Sequence, residues 1–174
     1  MRRVLFLVVL TACSQYKLRE PEKPPLDPLG APPPAAARVC VVRTSVIGGA
    51  VTFPTRDNGY LVGATRGPGH FCWLAEPGDH EITIETDHTD NASLRAEAGK
   101  AYWLKQNVSN VMGIVTCEPQ WIDYTEAQKA LADTPYEVLS GVPGEEKLPE
   151  QPPFVRARPP AVQGSSGMSG GPAL

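Results

Sequence analysis

Charge of one sign, aromatic residues and long apolar runs are all scarce in this chain of 174 residues. Lys and Arg number 16 against 19 Asp and Glu, for a net charge of −3. That balance gives no basic field for nucleic acid. Over residues 39–142 there are 7 bases and 13 acids, so that stretch repels anionic partners more strongly still. The longest apolar run, Val4–Leu10, has seven residues. As a helix it rises about 10 Å against roughly 30 Å of bilayer hydrocarbon, which excludes a spanning anchor. The three histidines show no HxH or HxxxH spacing, and no C-x-x-C occurs, so neither zinc nor a redox dithiol is signalled. Phosphate-binding loops, dinucleotide fingerprints and nucleophile elbows are missing too, and no cofactor is implied.

What is present is uneven. Of 19 prolines, seven fall in residues 14–38 and seven in 143–174. This divides the chain into residues 1–12, a signal peptide; 13–38, a proline-rich linker; 39–142, the globular domain; and 143–174, a Pro/Gly/Ser-rich tail. Both proline-rich stretches have too few large apolar residues to build a core, and are expected to be disordered. The linker reads as a polyproline stalk of about 70 Å that lifts the domain off its support.

The first segment begins with basic Arg2-Arg3, continues with the apolar run, and ends Leu10-Thr11-Ala12-Cys13. This ending resembles the lipobox of bacterial lipoproteins. The resemblance implies cleavage before Cys13, a diacylglyceryl group on its thiol, and partnership with a membrane through that lipid. Several acyl chains at about 0.8 kcal/mol per buried methylene make such attachment lasting. Ser14, rather than aspartate, follows the cysteine and points to the outer membrane.

Residues 39–142 carry apolar-rich runs separated by turn signals every eight to twelve residues, the spacing of an all-β, mainly antiparallel sandwich-like domain. Asn58-Gly59 between β-formers predicts a type I′ hairpin, because both central positions need positive φ. Pro77-Gly78 predicts a type II turn. Residues 80–86 alternate, with Ile82 and Ile84 on one face and Glu81, Thr83 and Glu85 on the other. Strands are expected over 93–97, 101–108 and 111–117, with 87–91 as a loop. One short C-terminal helix is expected over 126–133, with Thr125-x-x-Gln128 as its capping box.

The run Ala37–Arg43, the Asp57-Asn58-Gly59 hairpin, Phe71–Gly78 followed by His80–Thr83, and Ala98–Trp103 together resemble the domain-of-unknown-function 2846 family. The resemblance covers about 37–133. It implies an all-β envelope domain with no assigned catalytic residue. Cys40, Cys72 and Cys117 allow three disulfide pairings, and spacing decides among none of them. The resemblance favours Cys40–Cys72, because both lie in the strands that match the family core.

Candidate ligand contacts are few. Trp121, just before the helix, is the tryptophan most expected at the surface; Trp73 and Trp103 read as core. Asp87, His88 and Asp90 form the least explained polar stretch. The expected function is a membrane-tethered, non-enzymatic binding or structural module of the bacterial envelope, with a glycan or envelope protein as partner. The alternative is an envelope hydrolase acting on cell-wall or glycan substrates.

Overall fold

The computed structural model describes residues 15–144 and 146–159. The signal segment and Cys13 lie outside the described residues. Strand follows strand from the N-terminal side: β1 (Lys17–Arg19), β2 (Ala37–Arg43), β3 (Thr52–Asp57), β4 (Tyr60–Arg66), β5 (Gly69–Ala75), β6 (Gly78–Glu85), β7 (Thr89–Ala96), β8 (Ala101–Val111) and β9 (Ile114–Ile122). The helix α1 (Tyr124–Ala132) comes next, then β10 (Val138–Gly141) and β11 (Phe154–Val155).

Two sheets face each other, one of order β11-β5-β2-β8-β9 and one of order β4-β3-β6-β7. A third, two-stranded sheet pairs β1 with β10. The β2–β8 and β11–β5 pairings are parallel and the rest antiparallel. Among the described residues the fold is thus mostly β with a single short helix.

The two-residue period decides which side chains meet between the sheets. In β6, His80, Ile82 and Ile84 are buried, while Glu81, Thr83 and Glu85 stay partly exposed. Phe53, Val62, Phe71, Trp73 and Leu104 complete the interior. Strand β2 is buried at all seven positions. One face meets the opposite sheet and the other lies beneath α1, so the run needs no polar alternation. Cys40 and Cys72 sit directly opposite each other on β2 and β5, with Cα atoms 4.1 Å apart, and form the disulfide. Cys117 is left as a buried free thiol.

The outer edge of β5 is satisfied donor by donor. His70 N–H donates to Pro135 O, Leu74 N–H to Pro153 O and Glu76 N–H to Val155 O. At Cys72, between them, the N–H donates to the Tyr136 hydroxyl oxygen at 3.1 Å. A row of bare donors on this edge would invite pairing with another chain.

These contacts revise the domain limits expected from the sequence. Residues 15–36 and 146–159 are laid along the domain rather than standing free of it. In the expected linker, β1 pairs with β10, Leu26 and Leu29 pack on the core, and Trp103 Nε1 donates to Pro28 O at 3.0 Å. In the expected tail, β11 extends the large sheet, Val155 is buried, and Arg56 pairs with Glu146 at 2.6 Å. Proline suits both segments because it removes a donor that an edge or a wrapping chain does not need.

Three local expectations also shift. The helix starts two residues early, capped by Asp123, whose Oδ1 accepts the Glu126 N–H at 2.9 Å. Asp123-x-x-Glu126 has the same capping spacing as Thr125-x-x-Gln128, and the acidic pair takes the role. Strand β7 begins at Thr89, so Asp90 and Asn91 lie on a strand instead of in a loop. The final long hairpin turns at Met112-Gly113, not before Val111.

The Asn58-Gly59 turn is found as expected, with φ of 49° and 85°. Met112-Gly113 has nearly the same pair, 52° and 90°.

Candidate functional site

Strands β7 and β9 are the far edges of their sheets, and a cleft of about 430 Å³ opens where they approach each other. Its walls are Ser93, Leu94 and Arg95 from β7, Ala101, Tyr102 and Trp103 from β8, and Trp121, Ile122 and Asp123 from the end of β9.

The aromatic residues there are held in place. Trp121 Nε1 donates to Ser93 O at 3.1 Å, joining the two edges. Tyr102 and Trp121 meet edge to face, their centroids 6.3 Å apart. The Tyr102 hydroxyl accepts the Glu97 N–H at 3.1 Å. Trp103 packs edge to face on Tyr124 at 5.7 Å, which ties the cleft floor to the first turn of α1. Ring pairs of this geometry add about 0.5–1.5 kcal/mol beyond their buried area. The cleft therefore presents apolar ring surface with fixed orientation, flanked by the Arg95 side chain and the Asp123 cap. Such a surface can meet apolar groups on its rings and polar groups at its rim.

The sequence candidates fall in two places. Trp121 is half-buried, while Trp73 is fully enclosed and Trp103 nearly so. Asp87, His88 and Asp90 do not converge. Asp87 Oδ2 accepts the Val115 N–H at 2.7 Å, which ties the 86–88 turn to β9. His88 is exposed, its N–H bonded to the Thr86 hydroxyl. One oxygen of Asp90 is buried without a partner, and that carboxylate adds to the burial that pushes the Cys117 thiol up to about 12. Among the described residues no group of three or more His, Cys, Asp or Glu is placed to hold a metal ion.

A second polar cluster escaped sequence reading. The Asp57 carboxylate accepts from Trp73 Nε1 at 2.8 Å and lies 2.8 Å from His80 Nδ1. His80 Nε2 faces Glu76 O at 2.7 Å. Burial alone would lower the histidine's pKa, but its partners Asp57 and Glu76 outweigh that, and the net shift is upward. With acceptors at both ring nitrogens, the imidazolium form satisfies every partner. The two side chains have 0% exposure, so this acid–base pair is closed to a substrate and serves as a bolt between β3, β5 and β6. The only signal for it was polar residues at strand positions whose period points inward, Asp57 and His80.

Beside the start of β5 lies a third group. Burial pushes the Glu137 carboxyl up to about 7, and burial lowers His70 to about 4. Glu137 Oε2 accepts the Arg66 N–H at 3.3 Å, and His70 Nδ1 lies 3.0 Å from the Thr134 hydroxyl. The first joins the end of β4, and the second the start of β5, to the segment that follows α1.

No described helix is long and apolar enough to cross a membrane. No family model, curated protein or solved structure matches the chain.

Proposed function

We propose that the protein is a lipid-anchored binding module of the bacterial cell envelope that acts without catalysis, with the aromatic cleft between β7 and β9 as its ligand-contacting surface. The cleft carries this reading: oriented rings at the meeting of two sheet edges suit the apolar faces of sugar rings, while the rim offers Arg95, Asp123 and edge backbone for hydroxyl and amide groups. The partner class is an envelope glycan. The anchor is Cys13, on the strength of the lipobox-like ending, and Ser14 favours the outer membrane. The likeness to the domain-of-unknown-function 2846 family supports the same setting.

Two measurements test the reading. Pelleting with purified cell-wall sacculi is expected for the wild type and reduced about tenfold or more for Trp121→Ala, in line with loss of one aromatic anchor. Equal pelleting of both, with Tyr102→Ala also unchanged, removes the cleft from the reading. Labelling cells with a fatty acid should mark the wild type and leave Cys13→Ala unmarked; equal labelling removes the anchor.

A further inference from the structure

The end of the sandwich where β3 begins and β4 ends is unlike the rest of the molecule. Residues 44–55 and 106–117 contain no Asp, Glu, Lys, Arg or His, in a chain that is 20% charged overall. These two stretches are brought to one place. A Cβ on Gly48 would lie 2.9 Å from Val115 Cγ1, so the 44–51 loop packs on the β8–β9 hairpin just behind its tip. Arg43 shapes that loop from inside: its guanidinium donates to Ile47 O at 2.6 Å and to Val51 O at 3.2 Å, and stacks on the Phe53 ring. With the backbone polar groups turned inward onto Arg43, the apolar side chains of the loop face out. Val46 is 76% exposed and Met112 98%, and Ile47, Val111 and Ile114 are exposed beside them. Asn107, Ser109, Asn110 and Thr116 add uncharged polar groups behind the tip, where the exposed Asp87 carboxylate also meets the hairpin at the Val115 N–H.

Met112 also breaks a local rule. It holds φ of 52°, a conformation that costs an ordinary L-residue roughly 1–2 kcal/mol and that Asn or Gly adopts readily. A nearly fully exposed methionine in that position costs stability and gains no packing within the chain. Such exceptions gather where a surface is used.

The chain's entry lies at the same end. Arg66 Nη2 donates to Tyr16 O at 2.9 Å, while Arg66 Nε donates to Thr52 Oγ1 at 2.8 Å. One guanidinium thus holds Tyr16 to the residue that closes the uncharged loop. Cys13 stands three residues before Tyr16. Three residues reach at most about 11 Å.

We propose that the domain rests directly on the membrane, with the Val111–Ile114 tip and the Val46-Ile47 loop inserted in the lipid interface beside the acyl chains of Cys13. The inference rests on the anchor part of the reading above. It selects an uncharged or zwitterionic lipid surface, since the tip has apolar groups to bury and no cation for anionic headgroups. The tether is too short for a stalk, and the acyl chains and the tip then act as two attachments at one end.

The test uses the full chain purified from bacterial membranes and reconstituted on vesicles of phosphatidylcholine and phosphatidylethanolamine. Met112→Cys carries an environment-sensitive fluorophore; Tyr60→Cys, at the opposite end of β4, is the control. Cys40 and Cys72 are bridged, Cys117 is buried and an acylated Cys13 has no free thiol, so in the anchored chain labelling is confined to the new thiol; label taken up by the otherwise unsubstituted chain would count against the anchor. Iodide quenching at position 112 is expected to fall on the order of fivefold on vesicles and to stay unchanged at position 60. Flotation with vesicles and equal quenching at both positions overturns the inference and leaves the anchor standing. No flotation, with Cys13→Ala behaving like the wild type, overturns the anchor and the inference together. Unchanged thermal melting of Met112→Cys shows that the label reports on a folded domain.

Discussion

The two hairpin turns at Asn58-Gly59 and Met112-Gly113 share a backbone shape and differ in everything around it. At the first, Asn58 Nδ2 donates to Arg156 O at 3.0 Å, and its Oδ1 accepts the Glu81 N–H at 3.0 Å. Asp57, next to it, anchors the buried pair with His80. At the second, the central side chain touches solvent almost entirely, and Asn110 Oδ1 braces the loop by accepting the Gly113 N–H at 3.0 Å. One turn spends its chemistry on holding the molecule together. The other presents apolar surface at a backbone angle its residue type disfavours. The difference separates a structural end from an end available for contact.

The largest effect is expected at the structural end. His80→Ala leaves the Asp57 carboxylate buried with Trp73 Nε1 as its remaining side-chain donor. Breaking a buried pair on one side costs about 3–5 kcal/mol. Chemical denaturation should show that loss with little change in the slope. A loss under about 1 kcal/mol would mean the pair is hydrated and the end is looser than its geometry implies.

Removing residues 151–174 comes next. It deletes β11, the buried Val155, and the carbonyls that meet Leu74 and Glu76. It also removes Arg156 O from Asn58 and the Arg158 N–H bond to Asp79 O. Freed groups on β5 regain water, so each lost bond counts for about 0.5–1.5 kcal/mol net. After the entropy recovered by the released chain, the expected loss is about 2–4 kcal/mol. An unchanged melting temperature would return this segment to the status of a free tail.

The composition of that tail was plain in the sequence, and its role was not. Proline content reports what a segment cannot do alone. Whether it finds an edge depends on β5, some 80 residues earlier in the chain. Local signals fared better. Asn58-Gly59 and the alternation of Ile82 and Ile84 each follow from a few neighbouring residues, whereas Trp121, expected at the surface, is half-buried between β7 and β9. Two failures have opposite causes, competing local signals in one case and a missing signal in the other. Thr125-x-x-Gln128 and Asp123-x-x-Glu126 both have capping spacing, and the earlier start, capped by Asp123, is the one that packs Tyr124 on Trp103. Met112-Gly113 carries no Asn or Asp to announce positive φ, so the hairpin read as two unrelated strands. The aromatic cleft was half legible: Trp121 stood out, but Tyr102 and Ser93 join it only through strand register.

A pH dependence of about 2–3 kcal/mol is expected from Glu137. Its folded value, about 7, lies above its ordinary 4.5. Its contribution is therefore fully present below pH 4.5 and is lost as pH rises through 7. His70 has the opposite sign: lowered from 6.5 to about 4, it contributes above pH 6.5, and that contribution is lost as pH falls through 4. The two oppose each other between pH 4.5 and 6.5, so the stability of the wild type there should be nearly flat. In Glu137→Gln the His70 contribution stands alone, so denaturant midpoints should rise with pH between 4 and 6.5. A variant as flat as the wild type over that interval would mean that Glu137 does not supply the opposing limb.

The smallest effect has the sign that distinguishes the two turns. Met112→Asn places at the second turn the residue type that the first one uses. Asn adopts positive φ at little cost, so the domain should gain about 0.5–1 kcal/mol, provided the unfolded chain is unaffected. The gain corresponds to a rise of roughly 1–4 °C in melting temperature for a domain of this size. The same change exchanges an apolar tip for a polar amide. On vesicles, the anchored protein should then lose protection from solvent across the hairpin, read as faster amide exchange at Val111 and Ile114 than in the wild type. Stability and lipid contact are thereby expected to move in opposite directions on one substitution. A residue kept for packing would lower both when replaced, and a residue of no consequence would move neither. Raised stability with unchanged amide protection on vesicles would make Met112 an ordinary strained turn residue, and would leave the comparison between the two ends resting on the Asn58 side alone.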